Sequence, residues 1–265
     1  MPKVIAALPE WSPHRIWLSR CGRRVWLYEN WKLAPPQTQM QKIGQFIHEL
    51  ISLSIDSNRR LETKEIILLT TEILGNNTHV SLVISKLDSF YSIARRESDI
   101  QFVEAEKQVR IVVDNKGHNV KDPAPREGLS HVLRGRVDAI CRFGDTLINR
   151  DFKSSFNEKT TDMDNIRTQF GVYRICLQSY AIDYGCSDIK CQIVNLSSGK
   201  IIDIEPYDTG QIMSIVKKAQ KRYQTARGVK AKSHCHDCSF STYCDNPQRA
   251  PKEWKRKFVD QPSLL

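Results

Sequence analysis

An α/β core with a helical N-terminal elaboration is predicted for this chain of 265 residues, and three observations predict it. Apolar residues in the first hundred positions recur at helical spacing. The middle of the chain breaks into short β-rich runs divided by glycine turns. A long helical pattern then separates those runs from a second hairpin signal. This order of helices, strands, helix, strands and helix suits a layered α/β architecture.

The elements follow in order. "SPHRIWLSRCGRRVWLYENW" (12–31) interleaves aromatic and basic residues, and with Trp11 it accounts for four of the five tryptophans. "TQMQKIGQFIHELISLSI" (38–55) sets Met40, Ile43, Phe46, Ile47, Leu50 and Ile51 at helical spacing. "LETKEIILLTTEILG" (61–75) and "HVSLVISKLDSFYSIARR" (79–96) predict two more helices, with "GNN" at the break. "IQFVEAEKQVRIVV" (100–113) reads as a strand or hairpin arm, and "DNKGHNVKDPAPREG" (114–128) as a turn-rich loop. "HVLRGRVDAI" (131–140) and "CRFGDTLINRDFKSS" (141–155) are strand-like, the second split at Gly144-Asp145. "DMDNIRTQFGVYRICLQSYAIDYG" (162–185) is a helix, and "IKCQIVNLSSGKIIDIEP" (189–206) a hairpin around Ser197-Ser198-Gly199. "YDTGQIMSIVKKAQKRY" (207–223) closes the order with a helix whose Asp208 and Gln211 have capping-box spacing.

The totals narrow the function. Hydrophobic residues make up 40%, enough for a sizeable core. Lys and Arg number 40 against 30 Asp and Glu, a net charge of +10. The excess gathers at Arg20, Arg23 and Arg24, at Lys217, Lys218, Lys221 and Arg222, and at Lys252, Lys255, Arg256 and Lys257. A polyanion is the partner this implies, and nucleic acid is the commonest one. "MPKVIAALPEWSPHRIW" lacks the pattern of a secretory signal. No run approaches the ~20 apolar residues of a membrane span. A cytoplasmic protein with no membrane partner is therefore expected. Disulfides are rare in that compartment, so the 8 cysteines need another role, and clustered ones point to metal.

Chemistry-bearing residues lie in the middle. Asp138 interrupts an apolar run, and Asp151 and Lys153 follow Leu147-Ile148 on the next. Residues two apart on a strand share a face, so Asp151 and Lys153 point the same way and a neighbouring strand can bring Asp138 beside them. Buried carboxylates need a partner, and a hard divalent cation is one. A lysine beside it would orient water or stabilise charge on a phosphate. Asp138 and Asp151 with Mg²⁺, plus Lys153, thus suit phosphodiester hydrolysis. Taken singly these residues are ordinary: "DFK" is as readily an exposed ion pair, His48 a packed or solvated side chain, and Gln169 and Tyr173 one helical turn.

Together they form an ordered set: Gly44/His48, Gly135/Asp138, Asp151/Lys153 and Gln169/Tyr173. The set resembles the RecB-like branch of the PD-(D/E)xK nuclease superfamily. That resemblance implies a restriction-endonuclease-like αβββαβ core, a mixed sheet flanked by helices. It implies that His48, Asp138, Asp151 and the Phe152 carbonyl hold Mg²⁺ or Mn²⁺, and that Lys153 activates the attacking water. Gln169 and Tyr173 would position the site and the DNA backbone. Beside compact members, the stretch from His48 to Asp138 is long and contains a helical insertion (61–96). The layout expected is one nuclease domain over 1–265. Its catalytic strands and helix occupy 100–205, and a C-terminal helix and cysteine region (206–265) is joined to Cys21.

Cys235, Cys238 and Cys244 are spaced C-x₂-C-x₅-C, one ligand short of a usual four-ligand site. Cys141 on its strand and Cys176 on its apolar helix read as core cysteines; Cys186 and Cys191 flank a strand and stay open. With His234 and His236 inside the cluster, spacing alone leaves zinc and iron–sulfur nearly even. Iron–sulfur members of this nuclease branch place one cysteine before the core and three after it. The first lies in a segment matched here by Cys21, Arg23, Trp26 and Leu27. The resemblance therefore implies a [4Fe–4S] cluster on Cys21, Cys235, Cys238 and Cys244. The layout is most similar to the CRISPR-associated nuclease family that trims spacer precursors. This implies exonuclease action on single-stranded DNA or overhangs and an integrase complex as partner. Other prokaryotic defence or DNA-repair nucleases share the cluster. A catalytically silent DNA-binding module is the reading from another class, and the presence of Asp138, Asp151 and Lys153 favours the enzyme. Arg23, Arg24, Lys217 and Lys221 are expected to guide the strand, with Tyr173 stacking on unpaired bases.

Overall fold

The structure is a computed structural model, and it describes residues 10–75, 78–120, 130–224, 235 and 238–254. In chain order its elements are β1 (Glu10–Trp11), α1 (Pro13–Leu18), α2 (Gly22–Asn30), α3 (Gln39–Asp56), α4 (Thr63–Leu74), α5 (Val80–Arg96), β2 (Gln101–Asp114), β3 (Ser130–Phe143), β4 (Thr146–Lys153), α6 (Met163–Asp183), β5 (Asp188–Asn195), β6 (Lys200–Asp203) and α7 (Thr209–Gln224). Short 3₁₀ turns follow at Ser241–Tyr243, Pro247–Arg249 and Lys252–Trp254. The chain groups into two compact units, residues 1–13 with 38–213, and residues 14–37 with 214–265.

The first unit is built on one mixed sheet. Its order is β1-β3-β4-β5-β6, with β2 also paired to β3. Pairing is antiparallel for β2–β3, β3–β4 and β5–β6, and parallel for β1–β3 and β4–β5. The run α3, β2, β3, β4, α6, β5 is αβββαβ, with α4 and α5 inserted after α3. The mixed α/β class and mixed sheet agree with the expectation.

Local chemistry explains the elements. Thr38 and Gln41 cap α3 reciprocally: the Gln41 amide donates to Thr38 Oγ1 at 3.2 Å and the Thr38 amide to Gln41 Oε1 at 2.8 Å. Its buried Ile43, Phe46, Ile47, Leu50 and Ile51 form the apolar stripe read from the sequence. The β3–β4 turn needs left-handed backbone, which Gly144 supplies at φ +58 between paired Phe143 and Thr146. Asp208 and Gln211 exchange amide-to-side-chain bonds at the start of α7, as their spacing predicts.

Strand alternation sorts the core into two layers. Ala139, Cys141, Ile148, Phe152 and Val194 pack with α3, α4 and α5 on one sheet face. Cys191 and Ile193 pack with Ile166 and Phe170 of α6 on the other. The outward turn of Cys141 from Asp138, expected from strand parity, is thus seen in the packing. Burial pushes the Cys141, Cys176 and Cys191 thiols up to about 12, so these are inert core cysteines. β1 was not foreseen. It adds a parallel pair at Glu10↔Val132 and Trp11↔Leu133, and a two-residue strand leaves no period to read.

The second unit joins the chain's early and late segments. Leu18, Leu27 and Leu33 are buried with Phe240 and Ala250, beside Trp17, Trp26, Tyr243 and Trp254. The Ala34 amide donates to the Trp254 carbonyl at 2.8 Å. Tyr223 of α7 packs under the Arg15 guanidinium, 4.7 Å from the ring centre. Among the described residues, no helix is long and apolar enough to cross a membrane.

Candidate active site

The site lies where β3 changes partners. β3 pairs with β4 from Phe143 back to Ala139↔Arg150, and with β1 only at Val132 and Leu133. The next step of the β3–β4 register would set Asp138 opposite Asp151, and there the ladder has ended. The Asp138 carboxylate fills the gap: its Oδ2 accepts from the Phe152 amide at 2.9 Å. The juxtaposition of Asp138 with Asp151 and Lys153 thus follows from strand parity and register.

α3 and α6 supply the remaining side chains. His48 Nδ1 lies 3.3 Å from Asp138 Oδ2. Gln169 Nε2 donates to Asp151 Oδ1 at 2.8 Å. Lys153 Nζ sits 2.7 Å from Asp151 Oδ2, an oxygen buried outside hydrogen-bond geometry. Tyr173, one turn beyond Gln169, lays its ring over Gly135. A Cβ at Gly135 would meet that ring at 2.1 Å, so the close approach requires glycine. Gly44 has no such constraint, since a Cβ there would meet only Ser154 Oγ at 3.6 Å. These groups, with Gln45 and Arg136, line a cavity of about 390 Å³. A larger one, about 570 Å³, lies among Arg59, Arg60, Tyr91 and Phe102 and has no carboxylate or imidazole in its lining.

Electrostatics bind the set together. Burial lowers the His48 pKa, but the Asp138 carboxylate more than offsets it and the net value rises to about 9. Burial acts against ionised Asp138 as well, and His48 and Lys153 hold it below its ordinary value. Asp151 moves upward, from burial and from Asp138, against the pull of Lys153. Burial disfavours the Lys153 ammonium, yet Asp151 and Asp138 together keep it above the usual lysine value. Burial and the same carboxylates keep the Tyr173 phenol protonated.

Among the described residues, one group brings three ligand atoms within 4.8 Å of one another: His48, Glu106 and Asp138. Donors around one hard cation stand about 2.0–2.6 Å from it, hence within roughly 5 Å of each other. Two carboxylates and an imidazole at that spacing, next to buried Asp151, fit Mg²⁺ or Mn²⁺. Sequence reasoning named His48, Asp138 and Asp151 and missed Glu106. "EAE" inside a strand carries no signal until the β2–β3 register is known.

Two expected DNA contacts sit differently from the sequence reading. Arg24 is buried at 5% exposure, with its guanidinium over Trp17 and Nε donating to Cys238 Sγ at 3.2 Å. Tyr173 is 7% exposed, a wall of the cavity instead of an open stacking platform. Charge and aromaticity are legible in a sequence, but exposure is not. Arg23 donates to the Cys244 carbonyl from Nε at 2.8 Å and from Nη2 at 2.6 Å, and lies over Trp26. Lys217 and Lys221 are exposed on α7.

The same arginines define the cysteine region of the second unit. Cys21 is buried just before α2, and Cys238 and Cys244 pack against the Leu18–Leu27–Phe240 cluster. Cys235 is exposed, and the Cys238 amide donates to its carbonyl at 3.4 Å. The Arg24 guanidinium on Cys238 Sγ is the kind of donor that a metal-bound thiolate favours. Cys186 and Cys191 are buried in the first unit. His234 and His236, residues 121–129, and Lys255, Arg256 and Lys257 lie outside the described residues.

A family model described as the PD-(D/E)XK nuclease superfamily matches residues 10–245. No curated protein matches the chain. Among solved structures, the chain is similar to the crystal structure of SSO0001, at 13% identity over 77% of this chain and 96% of that one, with a TM-score of 0.35.

Proposed function

The chain belongs to the PD-(D/E)XK nuclease superfamily, and from that premise we propose that it is a cytoplasmic Mg²⁺- or Mn²⁺-dependent deoxyribonuclease that degrades DNA from an end. The observation that carries the reading is the convergence of His48, Asp138, Asp151 and Lys153 in one cavity. A divalent cation held there by His48, Asp138, Asp151 and the Phe152 carbonyl would supply Lewis-acid charge at the scissile phosphate.

The chain's own groups divide the remaining work. Gln169 fixes one oxygen of Asp151 and so sets the direction of the other. His48 and the Phe152 amide hold Asp138. Lys153 places an ammonium beside Asp151 Oδ2, where it orients the attacking water and offsets charge that develops on the phosphate. Tyr173, seated on Gly135, closes one wall and excludes water. Lys217 and Lys221 are the cations we assign to the DNA backbone. Arg23 and Arg24 serve the cysteine region, where we place a structural [4Fe–4S] cluster on Cys21, Cys235, Cys238 and Cys244.

Single-stranded DNA and overhangs are the proposed substrates, and trimming of spacer precursors beside a CRISPR integrase complex the proposed role. Support for both comes from the motif order and from one cysteine before the core with three after it. A matched pair of DNAs tests the reading. With Mn²⁺ present, a linear single strand is expected to shorten progressively while a circle of the same sequence persists. Equal loss of the circle would rule out action from an end.

A further inference from the structure

Glu106 sits where β2 leaves its ladder. It lies inside β2, opposite Asp138, between the paired positions Ala105↔Ala139 and Lys107↔Val137. It is skipped by the ladder, and its φ is +48. A residue with a side chain is strained in that left-handed region, and such outliers gather at functional sites. Glycine would occupy the position without strain.

The strained backbone aims the carboxylate at the site. Glu106 Oε1 lies 3.9 Å from His48 Nδ1, and Oε2 lies 2.8 Å from Arg136 Nε. Its side chain is 19% exposed. Its carboxylate, the His48 imidazole and the Asp138 carboxylate offer ligand atoms within 4.8 Å of one another, the spacing that donors around one hard cation take. A further carboxylate lies beside the set: Asp151 is 3% exposed and lines the cavity with His48 and Asp138, its Oδ2 held by Lys153 Nζ at 2.7 Å.

We propose that Glu106 is a cation ligand of this site, completing with His48 and Asp138 a nitrogen–oxygen set for Mn²⁺ or Mg²⁺. Arg136 is its counter-ion in the cation-free state. The inference rests on the nuclease reading, since it places a ligand at the cation site that reading requires. Arg136 lies two residues before Asp138 and half-exposed at the cavity. It can therefore release Glu106 without leaving a buried charge unpaired.

Mn²⁺ binding by the full chain, read from the electron paramagnetic resonance signal of free Mn²⁺ with no DNA present, tests the proposal. Asp138→Asn is expected to abolish binding at the site. Glu106→Gln is expected to raise the Mn²⁺ Kd by about tenfold or more. Arg136→Gln should leave the Kd unchanged or lower it, because a competitor for the carboxylate is gone. If Asp138→Asn weakens binding and Glu106→Gln does not, the inference fails and the nuclease reading stands. If Asp138→Asn binds normally, the cation-site reading itself fails. If Arg136→Gln loses affinity as Glu106→Gln does, Glu106 acts through its ion pair and the inference is overturned. Should Glu106→Gln not fold, Glu106→Gly suits the left-handed backbone and carries the same expectation.

Discussion

Lys153→Ala is expected to slow Mn²⁺-dependent DNA cleavage by roughly 10³-fold while leaving cation binding in place. Lys153 brings a positive donor to 2.7 Å from Asp151 Oδ2, and an ammonium has no lone pair to offer a metal. Its loss removes charge stabilisation but no ligand. Asp151→Asn should differ, because it removes a ligand oxygen and the partner that holds Lys153 charged. That variant is expected to lose both cleavage and part of the cation affinity. Single-turnover digestion of end-labelled single-stranded DNA, run beside Mn²⁺ binding, separates the two effects. A Lys153→Ala protein that digests at the normal rate would remove Lys153 from the mechanism.

Cys21→Ala is expected to match Cys244→Ala and to lose most of the bound iron. The two residues come from opposite ends of the chain, and Arg23 and Arg24 tie the Cys21 segment to the Cys244 carbonyl and Cys238 Sγ. A cluster bridging them would close a loop of more than two hundred residues, the case in which constraint of the unfolded chain is greatest. On that model the melting temperature should fall by roughly 10 °C. Cys141→Ala and Cys176→Ala should keep the iron and show a packing penalty alone, since both thiols are fully buried in the first unit. Iron and acid-labile sulfide per chain, measured on anaerobically purified variants, decide it. A full cluster in Cys21→Ala with loss in Cys186→Ala or Cys191→Ala would move the fourth ligand elsewhere.

Much of the first unit was legible because its signals are periodic. Ile43 to Ile51 declare α3 by spacing, and strand parity alone separates Asp151 and Lys153 from Phe152, which packs on the other sheet face. The Gly144 turn then sets the register that carries Asp138 to Asp151. What escaped depends on three dimensions. Glu106 matters through a skipped pairing and a left-handed φ, and neither is written in "EAE". Arg24 and Tyr173 looked like DNA contacts by residue type, yet one is buried over Trp17 and the other packs against Gly135. β1 joins the sheet through two residues that have no period.

Removal of the divalent cation is the sharpest test of a nuclease site built from His48, Asp138, Asp151 and Lys153. Linear single-stranded DNA is incubated with the purified full chain as prepared, after EDTA, and after EDTA followed by excess Mn²⁺. Cleavage that stops with the chelator, returns with Mn²⁺ and fails to return in Asp138→Asn is the expected result. Cleavage that persists in EDTA, or that Mn²⁺ restores equally in Asp138→Asn, would mean that the cation site does not drive hydrolysis.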